Sequence, residues 1–214
     1  MKSQFFFCFF LAALLLCAFS QPAQARPTPQ ASLQQVQQAL DARDLALFER
    51  RVDVDALVDQ GVALLSERLK NSGQNGAALP PTLMLMAYSL QDESTAPAVR
   101  AMLKKELSTF VRSGIKTGQL NGQPQQNVQA EGALARLLPN ISTGAKTLRA
   151  TGEASMQENG HCLLPASLHD AGNGQTYALQ LRMRPQDDGW QVYAINNMPA
   201  LMNMLEKESR DTIQ

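Results

Sequence analysis

Cysteine is almost missing from the part of this chain that would fold. Of three cysteines, Cys8 and Cys17 fall in an N-terminal apolar run and only Cys162 lies beyond it. No intramolecular disulfide can staple the domain, so the fold must stand on packing. Charge of one sign is equally lacking. Lys and Arg number 19 against 19 Asp and Glu, which removes the electrostatic case for nucleic acid or an anionic membrane surface. The 2 histidines and the cysteine form no C-x-x-C or H-E-x-x-H spacing, so no metal site and no cofactor is expected. There is no G-x-S-x-G elbow, no glycine loop to cradle phosphate and no S-x-x-K. Long apolar runs are missing too: the longest, Phe5 to Phe19, falls short of the roughly 20 residues needed to cross a bilayer as a helix.

What is present at the start is a secretory pattern. Lys2 precedes the apolar run, and Ala23-Gln24-Ala25 supplies a small-x-small end, so residues 1–25 read as a signal peptide cleaved after Ala25. The competing route is lipidation at Cys17, which wants a small residue before the cysteine and finds Leu16. The location expected is periplasmic or secreted. A domain of this size without disulfides suits a bacterial periplasm better than a eukaryotic exterior.

Residues 26–31 read as an extended leader, followed by a single domain over 32–214. Ser32 stands where a helix N-cap belongs, and Leu33, Val36, Leu40, Leu47 and Phe48 give one amphipathic helix its packed face. Asp53 and Asp55 cap and charge-complement the next helix, which carries Leu57, Val58, Leu64, Leu65 and Leu69. A loop is expected over 71–82 and an apolar helix over Leu83 to Leu90. Ser94 or Thr95 caps a further helix with a stripe from Val99 to Val111. Residues 113–130 read as loop or weak hairpin, and Glu131 to Leu138 as a helical turn ended by Pro139. From Lys146 the period drops to two, and turns at Glu158-Asn159-Gly160, Ala171–Gly174 and Asp187-Asp188-Gly189 join four strands into an antiparallel meander. Met198 to Arg210 closes the chain as a helix. The expected fold is α+β: a helical part over 32–139 packed on a curved antiparallel sheet of about four strands over 146–196, with a C-terminal helix over 198–210.

Ala39 to Asp44, Phe48 and Arg51 to Leu57 resemble the opening helices of an exported bacterial family of unknown function. Its pattern is A-x-x-x-R-D, a hydrophobic residue, then V-D-F-x-x-L; Val54 stands where the aromatic would be. Glu131 to Leu138 resembles that family's second signature. Gly189 to Ile195 resembles the last strand of cone-shaped sheets of the nuclear transport factor 2-like and SnoaL-like kind. The resemblance implies a fold and a compartment, and folds of this type host isomerases, dehydratases, hydrolases and non-catalytic binders.

His161, Cys162, His169 and Asp170 are the one cluster of catalytic residue types. A Cys-His dyad needs thiol and imidazole within hydrogen-bond reach, yet neighbours on a strand point to opposite faces, and His169 lies roughly 23 Å along an extended strand from Cys162. A buried cysteine and surface histidines are the simpler reading. Asp41, Asp44, Asp53, Asp55 and Asp59 read as caps and solvated faces. Asn140-Ile141-Ser142 fits a glycosylation acceptor, and Met198 with Met202, one helical turn apart, suits core packing more than copper. Three functions remain open. The first is a non-enzymatic envelope domain binding a small apolar ligand or an envelope protein on a concave sheet face. The second is a small SnoaL-like enzyme with a pocket carboxylate or His161 as general base. The third is an assembly factor acting through a helix surface. Neither nucleic acid nor a stable membrane span after signal cleavage is expected.

The signal-peptide reading makes a direct prediction. Intact-mass measurement of the exported protein should give a chain beginning at Arg26; a mass that retains residues 1–25, or a diacylglycerol-modified Cys17, contradicts it.

Overall fold

The computed structural model describes residues 26–74, 81–123 and 144–211. Outside the described residues lie the signal peptide with Cys17, residues 75–80 and 124–130 of the expected loops, the Glu131 to Leu138 signature, and Asn140-Ile141-Ser142.

Helix α1 spans Pro29–Ala42, with Thr28 as N-cap accepting from the Ala31 N–H at 3.1 Å and Pro29 in the first turn. The extended leader is therefore shorter than 26–31, and Ser32 is not the cap. A threonine followed by proline starts a helix more strongly than a serine within it, because proline pre-sets φ and lacks only an N–H that the first turn leaves unbonded. Ser32 is instead buried, and its Oγ accepts from the Trp190 N–H at 3.0 Å. The single helix expected through Phe48 is broken at Arg43, whose φ of 58° is left-handed. Asp44 then caps a separate helix α2, Leu45–Arg51, by accepting from the Leu47 N–H at 2.9 Å. The Arg-Asp pair is a helix stop followed by a helix start.

Helix α3, Val54–Gln74, begins as the aspartates predict: Asp53 accepts from the Ala56 N–H at 2.9 Å, and Asp55 lies in the first turn. Helix α4 covers Pro81–Gln91 and α5 covers Ala96–Thr117. Thr95 sits at the cap of α5 without capping it, since its hydroxyl donates back to Ser89 O at 2.6 Å. The loop expected from residue 113 starts later. Buried Ile115 continues the helical stripe, and Gly118 ends the helix in the left-handed conformation; the polar residues around Ile115 hid that last turn.

The strands are β1 (Lys146–Ala150), β2 (Ser155–Met156), β3 (Cys162–Asp170), β4 (Gln175–Gln186) and β5 (Gly189–Ile195), followed by α6 (Met198–Asp211). All pairings within this sheet are antiparallel, in the order β1-β3-β4-β5. The short β2 pairs with β3 alongside β1, so a fifth, two-residue strand is added to the expected four-strand meander, which is β1, β3, β4 and β5. The α+β architecture with helices against an antiparallel sheet is as the patterning indicated.

Alternation decides the two sheet faces. Cys162, Leu164 and Ala166 of β3, Tyr177, Leu179, Leu181 and Met183 of β4, and Trp190 and Val192 of β5 point inward. They form one core with Leu33, Val36, Ala39 and Leu40 of α1 and Val54, Val58 and Val62 of α3. A smaller cluster of Leu69, Ala87, Leu90 and Ala96 joins α3, α4 and the start of α5.

A polar joint locks the helical corner to the β4–β5 hairpin. Arg51 is 3% exposed. Its guanidinium donates to Asp188 Oδ1 at 2.8 Å, to Asp188 O at 2.9 Å and to Gln35 Oε1 at 2.5 Å. Gly189, with φ of 147°, passes directly beneath; a Cβ there would lie 2.9 Å from Ser32 Oγ and 3.1 Å from Arg51 Nη1. The chain beyond Arg51 then touches the sheet edge, the Asp53 N–H donating to Val192 O at 2.8 Å.

Two glutamine amides complete the edges. On β1, Gln37 Oε1 accepts from the Leu148 N–H at 2.6 Å and Nε2 donates to Lys146 O at 3.3 Å. On β5, Gln60 Oε1 accepts from the Ile195 N–H at 3.0 Å and Nε2 donates to Ile195 O at 2.8 Å. Each amide stands in for a neighbouring strand, satisfying ladder groups that would otherwise template edge-to-edge pairing.

The joint sets a stability prediction. Arg51→Ala should lower unfolding free energy by on the order of 3 kcal/mol, as for a buried charged hydrogen-bond set, and Gln60→Ala by about 1–2 kcal/mol, both read from denaturant midpoints. The hydrogen bond from Arg51 holds the Asp188 carboxyl below its ordinary range. Its contribution is therefore complete above roughly pH 4 and disappears as pH falls through the lowered folded value. Asp188→Asn should flatten the acid limb, and an unchanged limb would contradict the pairing.

Candidate functional site

The sequence candidates are not brought together. Cys162 faces the core at 1% exposure, and burial pushes its thiol up to about 11. Almost no thiolate exists at neutral pH, so it is not a nucleophile. His161 points the other way, as adjacent strand residues must. His169 is exposed near the far end of β3, its Nδ1 3.1 Å from Thr176 Oγ1. Asp170 turns inward and is neutralised by Lys146 Nζ at 3.0 Å. Met198 packs against the core cluster. No group of three His, Cys, Asp or Glu suited to a metal occurs among the described residues.

The side of the sheet turned away from the helices carries a different constellation. The β4–β5 register shifts between Arg182 and Met183, which pair with Ala194 and Val192, so Tyr193 is the extra residue of a bulge and stands on the outward side, next to the inward Val192. Its ring lies across β4, with the Arg182 guanidinium 5.7 Å from the centroid and that of Arg184 at 5.8 Å. Both distances are in cation–π range. The Tyr193 hydroxyl reaches His161 Nδ1 at 3.0 Å, and the two rings meet edge to face with centroids 5.2 Å apart. The turn before β3 holds that histidine: Asn159 Oδ1 accepts from the His161 N–H at 3.1 Å, and Asn159 Nδ2 is 3.3 Å from Nδ1. The Tyr193 hydroxyl can donate to Nδ1 or accept from it, so this contact fits either tautomer of the ring.

The two arginines differ in one respect. Arg184 is neutralised by Asp53 Oδ2 at 2.6 Å and held by Gln191 Oε1 at 2.7 Å. Arg182 is exposed and has no carboxylate partner among the described residues. Arg182 and Arg184 were legible as a same-face pair on β4 from their i, i+2 spacing. Tyr193, next to the inward Val192, falls on the outward side by the same alternation, whereas the bulge that sets Ala194 opposite Arg182 was not legible.

A second feature is an open groove of about 510 Å³ between α3 and α5, with Val62, Ala63 and Ala101 along it and Ser66, Glu67, Lys70 and Arg100 among its polar residues. Its Lys104 and Asp59 are already paired at 2.7 Å. The Ser66 hydroxyl is buried and has no hydrogen-bond partner among the described residues.

No protein-family model, curated protein or solved structure matches this chain.

The buried thiol gives the test of this subsection. A thiol-reactive disulfide reagent at pH 8 should leave Cys162 unmodified in the native protein and label it stoichiometrically in guanidinium chloride. Rapid native labelling would place the thiol at the surface and contradict its burial.

Proposed function

We propose that this protein is a non-catalytic binding domain of the bacterial envelope, exported by residues 1–25 and engaging a partner protein through the side of the sheet turned away from the helices. One observation carries this reading: the exposed Arg182 lies over the Tyr193 ring and meets no carboxylate among the described residues. Arg184, Arg51 and Arg112 meet Asp53, Asp188 and Glu49 respectively. Arginine and tyrosine are the residue types that dominate protein interfaces. The inward face is filled by α1 and α3 rather than hollowed into a cavity, which disfavours a small apolar ligand there.

Helix α4 supports an interaction role from another side. It contains no charged residue, and Leu85 and Tyr88 are 68% and 60% exposed on it. An exposed apolar helix face of that kind marks contact surfaces. Among the described residues no helix is long and apolar enough to cross a membrane. The proposed kinship with exported cone-type domains of unknown function is consistent with a binder and leaves the partner open.

A second reading, a small exported enzyme, is favoured by one feature: Glu67 and Arg100 line the same groove beside Ser66. In-cell cross-linking separates the two. A photo-reactive amino acid in place of Gln180 should yield a discrete protein adduct, and one in place of Ala63 should not. No adduct at Gln180, with a small-molecule adduct at Ala63, would overturn the binding reading and favour the groove.

A further inference from the structure

We infer that Arg182 is the reading head of the outer sheet face and that the group it takes is a carboxylate on an acidic, extended segment of a partner polypeptide. This rests on the outer face being the binding surface and adds what that surface recognises. The charge pattern points there first. Outward positions on the main strands include Thr147 and Arg149 of β1, Ser167 and His169 of β3, and Thr176, Gln180 and Arg182 of β4. None of the outward residues on these strands is acidic, and among the described residues no carboxylate meets Arg182, so this strip is complementary to an anion brought by a partner.

The geometry sets the kind of anion. Tyr193 spans β4 with its hydroxyl on His161, which fixes the surface on which Arg182 stacks. A stacked planar fork loses less freedom on binding than a free one, and its N–H groups match the two oxygens of a carboxylate. A dianion would want a second unpaired cation, and the nearest one, Arg184, is held by Asp53 at 2.6 Å. A single negative charge is what the site balances. The shape points to a chain rather than a small molecule. Around Arg182 the face carries Leu163 and Ala194 in the same row, with Pro165 and Gln180 in the next. An exposed strip of sheet face suits an extended peptide lying across it, whereas small ligands require concavity. Covered edges add to this: Gln37 and Gln60 occupy ladder groups of β1 and β5, so at those positions the partner meets side chains on the face, not backbone at the edge.

The test uses residues 26–214 and three probes: a twelve-residue peptide of alternating glutamate and alanine, its glutamine counterpart, and inorganic phosphate. NMR follows the Arg182 Nε–Hε, the His161 ring and the Tyr193 amide. The inference expects saturable shifts at all three with the glutamate peptide, and at least tenfold weaker binding by the glutamine peptide and by phosphate. It also expects affinity to fall with salt, and a tenfold or greater loss in Arg182→Gln at unchanged melting temperature. Equal binding of the glutamine peptide, tighter binding of phosphate, or Arg182→Gln binding like wild type would each overturn it. If the cross-link from position 180 forms and persists unchanged in Arg182→Gln, the outer-face reading stands and the carboxylate inference falls.

Discussion

One buried guanidinium holds the architecture together. Arg51 closes the helix α2, yet its charge is spent on Asp188 and Gln35, so the corner between α2 and α3, the first helix and the tip of the β4–β5 hairpin are fixed by a single side chain. A charge at 3% exposure is tolerable only when it is paired and hydrogen-bonded, because an isolated buried charge costs far more than folding returns. Gly189 belongs to the same arrangement: no other residue lets the hairpin strand pass so near Ser32 and Arg51. From this joint follow the Val52–Val192 bridge, the seating of Asp53 at the start of α3 and the position of Trp190 in the core.

The outer face depends on that joint at one remove. Asp53 serves two masters, capping α3 through Oδ1 and neutralising Arg184 through Oδ2. Seating it against the sheet is what leaves Arg182, and not Arg184, as the unpaired cation beside Tyr193. The bulge at Tyr193 sits in the same hairpin that Arg51 anchors. The back of the sheet thus carries an aromatic ring and a cation that meets no carboxylate among the described residues. The thiol that might have served a reaction faces the opposite side and stays protonated at neutral pH.

Periodicity made much of the fold readable, and partner choice made the rest unreadable. The switch from helical spacing to alternation at Lys146 is a local property, as are the Asp53 cap and the Asp187-Asp188-Gly189 turn, and each appears where the pattern placed it. The break at Arg43 was hidden because an arginine seldom takes a positive φ; only the following Asp44 cap hinted at it. The roles of Gln35, Gln37 and Gln60 were invisible for a different reason. A glutamine on a helix reads as solvated surface, and nothing local says that a strand edge or a buried arginine lies opposite. At Ala194 and Ile195 a one-residue bulge reverses the faces that strict alternation from Trp190 and Val192 assigns, and no local pattern announces it. His161 and Cys162 were separated correctly, since that needed only the two-residue period of a strand.

The central claim is that the helical corner and the sheet form one cooperative unit through the Arg51 joint. Native-state amide hydrogen exchange at increasing denaturant measures this directly. The account predicts that the Asp53 amide, which bonds Val192 O, and the Trp190 amide, which bonds Ser32 Oγ, exchange with the same free energy as the central β4 amides. Exchange of Asp53 and Trp190 through a much lower opening, with β4 still protected, would show that the corner undocks on its own and would contradict the account.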